Sequence, residues 1–325
     1  MKKSLKIGVL TSGGDSPGMN ACIRAVVRTS LDLGHEVFGI YYGYEGLIDG
    51  QIESFDRKAV ANIIHRGGTV LKTARSERFM EAEFRSQAAK RLKNKDIDHI
   101  IFIGGDGTVR GAEVFMAEHG FKMIGCPGTI DNDLFGTDYT IGFDTAVNTV
   151  IESIDRLRDT AESHDRVFVV EVMGRDSGQI ALHSALAAGA EAVLIPETKY
   201  DTERLIDTLT SGRTGKSSKI VIVGEGDESG GAYKIAESIK GYFPLLDVRV
   251  TVLGHTQRGG NPTFIDRKNA SVLGYEAVQE IVKGNSGLML GFLNGKISRT
   301  PFEKVKKHNN EGIDYMLKIT QILAR

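Results

Sequence analysis

The sequence contains little cysteine and no excess of charge of either sign. Two cysteines among 325 residues, Cys22 and Cys126, are too few for a disulfide framework or a zinc site, so we expect two small buried side chains in a reducing compartment. The formal net charge of −1 argues against a general binder of nucleic acid or anionic membranes, because such proteins carry a basic excess. Local basic pockets remain compatible with this balance.

The sequence also lacks an apolar run approaching the roughly 20 residues that cross a membrane. The first ten residues resemble the start of a signal peptide, but the polar stretch TSGGD, residues 11–15, ends the apolar run too early for a secretory core. We therefore expect a cytoplasmic protein that has neither a membrane nor a nucleic acid as a partner.

Glycine, in contrast, is abundant. The chain has 39 glycines, ~12% of its residues against a usual ~7%. They cluster after predicted strands, in SGGDSPG, HRGGT, GGDGT, PGT, MGRDSG, GEG and HTQRGGNP. Glycine after a strand lets backbone amides approach a ligand closely, so this placement indicates loops that bind anions.

Short β-branched runs alternate with helical patterns along the chain. The runs expected to form strands are KIGVLTS, HEVFGIY, DHIIFIGG, KMIGCPG, RVFVVEVMG, AVLIP, KIVIVGEG and VRVTVLGH. Nearly continuous apolar strands that alternate with helices predict a mostly parallel sheet covered on both faces. Ligands of such sheets bind at the carboxyl ends of the strands, where the glycine clusters lie.

We predict an α/β fold with two doubly wound domains and mostly parallel sheets. The first strand units end near residues 140–144, where a long helix begins, and the chain returns to the first domain near LGHTQRGG. The predicted larger domain comprises residues 1–141 and 256–306. The predicted smaller domain comprises residues 142–255 and 307–325.

Two familiar nucleotide-binding motifs nearly match but fail. GRTGKS resembles the end of a P-loop, yet the position of the first P-loop glycine is Thr210. GGDGTVRG resembles a dinucleotide fingerprint, yet the third glycine position is Arg110. These departures argue against a P-loop ATPase and against an ordinary dehydrogenase.

The segment GGDGT, residues 104–108, follows a predicted strand and opens a helix, where backbone amides stabilise phosphate. Asp106 is a carboxylate in this anion site, which makes sense if Mg²⁺ stands between it and the phosphates. The alternative is a helix N-cap aspartate. TSGGDSPGMN forms a similar loop after the first strand, so the pair suggests a polyphosphate lying across adjacent strand ends.

The segment PGTIDND, residues 127–133, follows the next strand and carries two carboxylates, Asp131 and Asp133. Both residues fit an ordinary turn. A carboxylate beside a bound phosphate would instead accept the proton of an attacking hydroxyl, which is the base role in phosphoryl transfer.

Several arginines lie in or next to the predicted strand-end loops, and their planar side chains suit phosphate. They are Arg75, Arg166, Arg175, Arg249 and Arg258. Each one alone is compatible with a surface charge. Arg24 and Arg28 form a separate group on the first helix, where they share a face and repel each other. Arg28 could pair with Asp32 at the surface, or both arginines could form a second anion site.

These segments together resemble the bacterial ATP-dependent 6-phosphofructokinases. The matching blocks, in family order, are IGVLTSGGDSPGMN, GGDGT, PGTIDNDLFGTDYTIGFDTA, SIDRLRDTAESHDR, VVEVMGR and TVLGHTQRGGNP. GGDGT alone is shared with NAD kinases and lipid kinases, whereas six blocks in register are specific. The resemblance implies a glycolytic kinase that transfers the γ-phosphoryl of ATP to the 1-hydroxyl of fructose 6-phosphate.

The resemblance also implies a role for each matching residue. Asp131 would be the general base, Asp133 and Thr129 would assist it near the transferring group, Asp106 would hold Mg²⁺ and Arg175 would stabilise the developing charge. The residues that would bind ATP are Gly14, Arg75, Ser76, Asp106, Gly107 and Thr108. The residues that would bind the sugar phosphate are Thr129, Asp131, Arg166, Met173, Gly174, Arg175, Glu225, Arg249, His255 and Arg258.

By the same resemblance, Arg166 and Arg249 would reach the site of a neighbouring subunit in a homotetramer. ADP or phosphoenolpyruvate would bind as effectors between subunits. The residues that match effector-binding positions are Arg24, Arg28, Arg57, Arg158, Glu191 and Lys216. The sequence departs from the family pattern nearby, at Asn62, Thr214, Ser217 and Ser218, and we expect weakened or altered regulation.

The phosphoryl donor follows from two glycines. Relatives that use pyrophosphate typically carry aspartate at the position of Gly107 and lysine at that of Gly128, so the sequence favours ATP. The alternatives are a pyrophosphate-dependent enzyme and a catalytically silent nucleotide sensor on the same fold. The presence of Asp106, Asp131, Asp133 and Arg175 gives the silent sensor little support.

Overall fold

The structure is a computed structural model that describes residues 4–164, 166–199, 201–211, 219–306 and 312–324. The described residues contain eleven strands. These are β1 Lys6–Ser12, β2 Glu36–Ile40, β3 Ile52–Phe55, β4 His99–Gly104, β5 Lys122–Pro127, β6 Val167–Val172, β7 Ala192–Leu194, β8 Lys219–Gly224, β9 Val248–Val252, β10 Leu288–Leu293 and β11 Lys296–Pro301.

Ten α-helices accompany these strands in the same ranges. They are α1 Met19–Asp32, α2 Gly43–Asp49, α3 Ala82–Lys93, α4 Asp106–His119, α5 Phe143–Glu162, α6 Gln179–Ala188, α7 Thr202–Ser211, α8 Ala232–Tyr242, α9 Phe264–Lys283 and α10 Ile313–Leu323. Short 3-10 helices lie at Arg78–Met80, Gly254–Arg258 and Phe302–Lys304. No helix within the described ranges is long and apolar enough to cross a bilayer.

The chain divides into two compact units. The first unit comprises Met1–Ile130, Leu134–Thr145 and Arg258–Lys307, and the second comprises Asp131–Asp133, Ala146–Gln257 and His308–Arg325. The expected domain boundaries had placed residues 131–133 in the first domain. They group with the second unit because Ser177 Oγ donates a hydrogen bond to the carbonyl oxygen of Asp131 at 2.8 Å. The boundaries of the functional domains stay a prediction.

The first unit is built on a seven-stranded sheet with the order β11-β10-β5-β4-β1-β2-β3. Its five central strands are parallel, while β3 pairs antiparallel with β2 and β11 pairs antiparallel with β10. The predicted α/β fold with a mostly parallel sheet is confirmed. The two antiparallel edge strands are additional features.

Apolar residues of the central strands alternate between two hydrophobic cores, one on each face of the sheet. In β4, Ile101 and Ile103 belong to one core, while Ile100 and Phe102 belong to the other. Helices α1 and α9 supply the first core, and α2, α3 and α4 supply the second. Burial on both faces explains why β4 reads as a continuous apolar run.

Two buried carboxylates hold α9 in place within the first unit. Asp266 accepts hydrogen bonds from the amides of Gly142 at 2.8 Å and Thr145 at 2.9 Å, which caps the start of α5. Glu280 lies near the other end of α9, where burial raises the pKa of its carboxyl. Hydrogen bonds from Arg299, Lys283 and Asn285 outweigh that effect and lower this pKa to about 2. The Arg299 bond is 2.9 Å long and ties α9 to β11.

The second unit is built on a four-stranded sheet with the order β7-β8-β6-β9, in which all strand pairs are parallel. Helices α7 and α8 cover one core of this sheet, around Val169, Val221 and Ile235. Helix α6 packs on β7 and β8, and α10 packs on α6. The carboxyl ends of β6 and β8 therefore lie side by side at one edge of the sheet.

Candidate active site

Three loops of the first unit leave neighbouring strand ends at the same edge of its sheet. Ser12, at the end of β1, pairs with Gly104 at the end of β4, and Gly104 pairs with Pro127 at the end of β5. The loops that begin at residues 13, 105 and 128 therefore start next to one another. The two glycine loops lie on adjacent strands, as expected.

The turn from β4 into α4 is fixed by side chains of neighbouring elements. Gly105 is the N-cap residue, and α4 begins at Asp106. The buried Thr108 donates from Oγ1 to the carbonyl oxygen of Ser12 at 3.1 Å. Tyr44 of α2 donates from its hydroxyl to the carbonyl oxygen of Thr108 at 2.7 Å. The amides of the first turn of α4 remain at the sheet edge, where a helix N-terminus attracts phosphate.

Asp106 is the first residue of α4 and not its N-cap, so the interpretation as a capping aspartate is wrong. Its mostly buried carboxylate lies 2.6 Å from Nη2 of Arg110, one helical turn later. The described residues contain no group of three or more His, Cys, Asp or Glu side chains that could enclose a metal ion. A divalent ion at Asp106 would therefore take most of its ligands from a bound phosphate or from water, as Mg²⁺ commonly does.

The first glycine loop is bonded to the segment that carries Arg75. The Gly13 amide donates to the carbonyl oxygen of Ala74 at 3.2 Å, and Thr73 Oγ1 donates to the carbonyl oxygen of Gly13 at 2.9 Å. Ser76, the next residue after the exposed Arg75, donates from Oγ to the carboxylate of Glu45 in α2. Two predicted ATP-binding elements, the Gly13–Gly14 loop and residues 75–76, thus lie together.

Arg258 also lies on the first glycine loop, although the resemblance assigns it to the sugar phosphate. Its Nη1 donates to the carbonyl oxygen of Asp15 at 3.1 Å. The same nitrogen lies 2.8 Å from the point that a Cβ on Gly14 would occupy. Any side chain at position 14 would displace this guanidinium, which gives the glycine a packing reason.

Thr129 lies beside the glycine-rich turn that leads from β4 into α4. Its Cβ lies 3.8 Å from the point that a Cβ on Gly105 would occupy. Its carbonyl oxygen accepts a hydrogen bond from Thr140 Oγ1 at 2.6 Å. The structure therefore groups Thr129 with Gly105, Asp106 and Thr108.

In the second unit, the loops after β6 and β8 meet and bring four predicted sugar-binding residues together: Met173, Gly174, Arg175 and Glu225. The Arg175 amide donates to Glu225 Oε1 at 2.9 Å, and the Glu225 amide donates to the carbonyl oxygen of Val172 at 2.8 Å. A Cβ on Gly226 would lie 1.7 Å from the carbonyl oxygen of Arg175, so only glycine allows this approach.

Each of the two loops that carry predicted catalytic residues contains one non-glycine residue with a left-handed backbone. Arg175 has a φ of 54° and Asn132 a φ of 49°, which lie in the left-handed region that costs a non-glycine residue roughly 1–2 kcal/mol. Asp131, Asn132 and Asp133 are all buried. The hydrogen bond from Ser177 to the Asp131 backbone connects the two loops.

The 3-10 helix that contains His255 is also connected to the β6 loop. Gln257 is buried, and its Oε1 accepts a hydrogen bond from the Met173 amide at 3.3 Å. Its Nε2 donates to the carbonyl oxygen of Gly254 at 3.1 Å. His255 is exposed next to these contacts. Sugar-binding predictions that lie far apart in the sequence thus gather at the carboxyl edge of the second sheet.

Arg166 and Arg249 lie at the opposite edge of the same sheet. Arg166 precedes β6, and Arg249 is the second residue of β9. Both bind Asp247, since Nε of each arginine lies 2.7 Å from one of its carboxylate oxygens. Hydrogen bonds from Arg166 and then Arg249 lower the pKa of this carboxyl. Because β6 spans six residues at ~3.3 Å each, roughly 20 Å of sheet separates Arg166 from Arg175.

The predicted effector residues of the first unit lie around α1. Burial and the charge of Arg28 lower the pKa of Arg24, which agrees with the predicted repulsion between them. Nε of Arg28 is buried and has no hydrogen-bond partner in the part of the chain that is described. Asp32 pairs with Arg57 at 3.4 Å, so the predicted pairing of Arg28 with Asp32 is not formed. Asn62 adopts a left-handed backbone, with a φ of 56°.

The predicted effector residues of the second unit are fixed by backbone contacts. Arg158 donates from Nη2 to the carbonyl oxygen of Ala188 at 2.7 Å, at the end of α6. The buried Glu191 accepts a hydrogen bond from the Ile220 amide at 2.7 Å. Lys216 and the departures at 214, 217 and 218 lie outside the described residues.

Sequence reasoning missed Glu45, Ser177, Asp247 and Gln257. Asp247 precedes a predicted strand that also carries Arg249, and an acid next to an arginine at a strand start was an available signal. Gln257 lies beside Arg258 in a glycine-rich block that was already singled out. The contacts of Glu45 and Ser177 could not be predicted from spacing in the sequence, because their partners lie 31 and 46 residues away.

Glycine-rich turns on adjacent parallel strands, with helix amides directed to a common edge, define an α/β protein that binds phosphate groups. The family model described as phosphofructokinase matches residues 6–281 of the chain. The chain belongs to the phosphofructokinase family.

Curated relatives match almost the whole chain. One is an ATP-dependent 6-phosphofructokinase 1 of Thermus thermophilus, 51% identical over 320 residues, which are 98% of this chain and 99% of the relative. Another is an ATP-dependent 6-phosphofructokinase of Natranaerobius thermophilus, 54% identical over 301 residues, 92% of this chain and 93% of the relative.

Solved structures agree on the fold. Phosphofructokinase from Saccharomyces cerevisiae superimposes with a TM-score of 0.87 at 36% identity, covering 99% of this chain and 48% of the yeast chain. The present chain therefore spans about half of that protein. Pyrophosphate-dependent phosphofructokinase from Marinobacter aquaeolei superimposes with a TM-score of 0.84 over 97% of this chain and 91% of the relative. At 20% identity this likeness shows the fold alone.

Proposed function

We propose that this protein is an ATP-dependent 6-phosphofructokinase. It transfers the γ-phosphoryl of ATP to the 1-hydroxyl of fructose 6-phosphate, giving fructose 1,6-bisphosphate and ADP. The observation that carries the proposal is the row of three loops after β1, β4 and β5, with Gly14, the 106–108 turn and Thr129 at neighbouring strand ends. The curated relatives of similar length support the same donor and acceptor.

The proposed base is the Asp131 carboxylate, which takes the proton of the 1-hydroxyl as the oxygen attacks the γ-phosphorus. Two residues of chain span at most about 7 Å, so covalent connection keeps Asp131 near Thr129, which itself lies beside Gly105. The side chain of Asp131 is buried, and the hydrogen bond from Ser177 to its carbonyl oxygen holds the backbone at this position. Asp133, in the same buried loop, assists near the transferring group, and Arg175 stabilises the charge on the phosphoryl oxygens.

The proposed metal is Mg²⁺, held by Asp106. A lone carboxylate at a helix N-terminus fits an ion that shares its coordination with nucleotide phosphates and water. The bound ion would neutralise the phosphates and help orient them. Arg110 pairs with Asp106, so this arginine would release the carboxylate to the ion or share it.

ATP is favoured over pyrophosphate by the surroundings of two glycines. A Cβ on Gly107 would meet no atom within 4 Å, so packing does not require glycine there, and the open space suits a nucleotide. A Cβ on Gly128 would lie 2.8 Å from Ile103 Cγ2 and 3.0 Å from Met19 Cε. The lysine typical of pyrophosphate-using relatives would therefore require repacking of the sheet edge.

The two groups of predicted sugar-binding residues support an assembly with shared sites. Roughly 20 Å of sheet separates Arg166 from Arg175, and about 13 Å separates Arg249 from the carboxyl end of β6, so both arginines lie away from a ligand held by Arg175 in the same chain. A second copy must supply these two arginines if they bind the same phosphate. We propose a homotetramer in which Asp247 holds the pair of arginines ready for the neighbouring site.

We infer that ADP or phosphoenolpyruvate binds as an effector between subunits, at Arg24, Arg28, Arg57, Arg158, Glu191 and Lys216. Arg24 and Arg28 repel each other, which an anion would relieve. The sequence departs from the family pattern at 62, 214, 217 and 218, so regulation is weakened or altered. A strongly sigmoidal response to phosphoenolpyruvate that ADP relieves would contradict this inference.

A coupled assay that detects fructose 1,6-bisphosphate tests the function. We expect turnover with ATP and fructose 6-phosphate that requires Mg²⁺. We expect none when pyrophosphate replaces ATP. Activity with pyrophosphate and not with ATP would reverse the assignment of the donor, and nucleotide binding without turnover on either donor would favour the silent sensor.

A further inference from the structure

The residue Arg75 has an ordered backbone and an unengaged side chain. Its exposed guanidinium makes no hydrogen bond or ion pair with any residue in the described ranges. The backbone on its amino side is bonded to Gly13, through the contacts given above. On its carboxyl side, Ser76 is bonded to Glu45. These hydrogen bonds anchor the backbone on both sides of Arg75 and therefore fix the position of its Cα.

The second anchor depends on Glu45, whose carboxylate binds two residues of the same segment. One is Ser76, and the other is Arg78, whose Nε and Nη2 lie 2.6 and 2.5 Å from Glu45 Oε1. Asp49, one turn later on α2, binds only Arg78, at 3.0 and 3.1 Å. Glu45 is thus the residue of α2 that reaches the position next to Arg75, and Asp49 is a natural control.

Helix α2, which carries Glu45, also contacts the glycine-rich turn between β4 and α4. Tyr44, the preceding residue, donates from its buried hydroxyl to the carbonyl oxygen of Thr108 and stacks on Phe79 with ring centroids 4.0 Å apart. These contacts hold helix α2 in place, and the hydrogen bond that Ser76 donates to Glu45 holds Ser76 against this helix. An arginine whose backbone is fixed in this way loses less conformational freedom when it binds phosphate.

We propose that Glu45 is a positioning residue for ATP, which acts through Ser76 on Arg75. This inference rests on the proposed function, because it assigns Arg75 to the polyphosphate. Glu45 does not touch the nucleotide. Its carboxylate holds the 75–78 segment against α2, so that the guanidinium of Arg75 is directed to the edge where the glycine loops end.

The test is a double-mutant cycle on steady-state kinetics of the full-length protein. We expect Glu45→Ala to raise KM for ATP about 3- to 10-fold, the range that ordering one long side chain costs on binding, with KM for fructose 6-phosphate unchanged. Glu45→Gln, which still accepts the Ser76 hydroxyl, should recover most of this loss. Asp49→Ala removes only the outer contact with Arg78 and should leave KM for ATP unchanged.

The decisive measurement is whether the effect of Glu45→Ala on KM for ATP depends on the presence of Arg75. In an Arg75→Ala background, Glu45→Ala should raise KM for ATP less than twofold further. An equal rise in both backgrounds, or no rise in a Glu45→Ala protein that melts like the wild type, refutes the inference and leaves the kinase assignment standing. A wild-type protein without ATP turnover refutes the proposed function and the inference with it. Where Glu45→Ala fails to fold, Glu45→Leu, which removes the acceptor but keeps much of the side-chain volume, takes its place in the same cycle.

Discussion

The donor specificity of this protein should respond to a single charge at Gly107. Gly107 is the second residue of α4, and the point that its Cβ would occupy is open. An aspartate therefore fits without a clash, and an acidic residue in the first turn of a helix is stabilising by ~0.3–1 kcal/mol. Gly107→Asp should fold at least as well as the wild type, which separates its effect on ATP from any effect on stability.

The magnitude follows from the distance between the new carboxylate and the nucleotide. Two unit charges 4 Å apart repel by about 4 kcal/mol at an effective dielectric constant of ~20, and by less where water reaches them. Position 107 is exposed to water, so we expect a repulsion of about 2–3.5 kcal/mol between the introduced carboxylate and the phosphates. Because 1.4 kcal/mol corresponds to a factor of ten, KM for ATP should rise about 30- to 300-fold.

The assay compares KM for ATP in Gly107→Asp, Gly107→Ala and the wild type, with melting temperatures measured in parallel. Gly107→Ala adds a methyl group without charge, so it should change KM for ATP by less than about threefold, since its Cβ meets no neighbour within 4 Å. A folded Gly107→Asp protein with an unchanged KM for ATP would mean that the phosphates do not lie against the 106–108 turn. The proposed orientation of the nucleotide would then be wrong.

Three further predictions concern the base, the assembly and the core. Asp131→Ser should lower kcat at least ~10²-fold while fructose 6-phosphate still binds, as measured by calorimetry; unchanged turnover would remove Asp131 as the base. Coexpressed Asp131→Ser and Arg249→Ala chains should be more active than either variant alone, because a mixed assembly contains intact shared sites; no gain would argue against sharing. Folding holds the pKa of Glu280 near 2, so its stabilisation is complete above about pH 5 and is lost as the pH falls towards 2. Urea unfolding should show that Glu280→Gln lowers the free energy of unfolding by about 2 kcal/mol at pH 7 and by less at pH 3; a constant difference would contradict the pKa.

The strands predicted with the most accurate boundaries are buried on both faces. KIGVLTS became β1 without a change of boundary, and HIIFIG within DHIIFIGG became β4, because the large apolar residues of these runs face one of two cores. The glycine clusters correctly marked the carboxyl ends of β1 and β4. Local sequence contains this information, since burial of a whole strand requires an unbroken apolar run.

The three strands that were missed are β3, β10 and β11, of which β3 and β11 are the edge strands of the first sheet and are only partly buried. β3 has four residues, of which only the first and the last are buried, so it gave no apolar run. β10 and β11 form a hairpin around Asn294 and Gly295, whose φ values of 51° and 74° suit a type I′ turn. An Asn-Gly dipeptide between two strand-forming segments is typical of a hairpin, so β10 and β11 could have been predicted from the sequence.

The direction of β6 decides which predicted sugar-binding residues belong to one chain's site. Arg166 stands before this strand and Arg175 after it, so a parallel sheet must put their side chains at opposite edges. That separation was implicit in the sequence once β6 was predicted, and it requires no knowledge of loop geometry. Spacing in the sequence could not reveal that Asp247 would hold Arg166 and Arg249 together, because 81 residues separate Asp247 from Arg166. The strand direction is the reason for proposing that a second copy completes the site, and the shared carboxylate of Asp247 is the reason for proposing that the two arginines act as a pair.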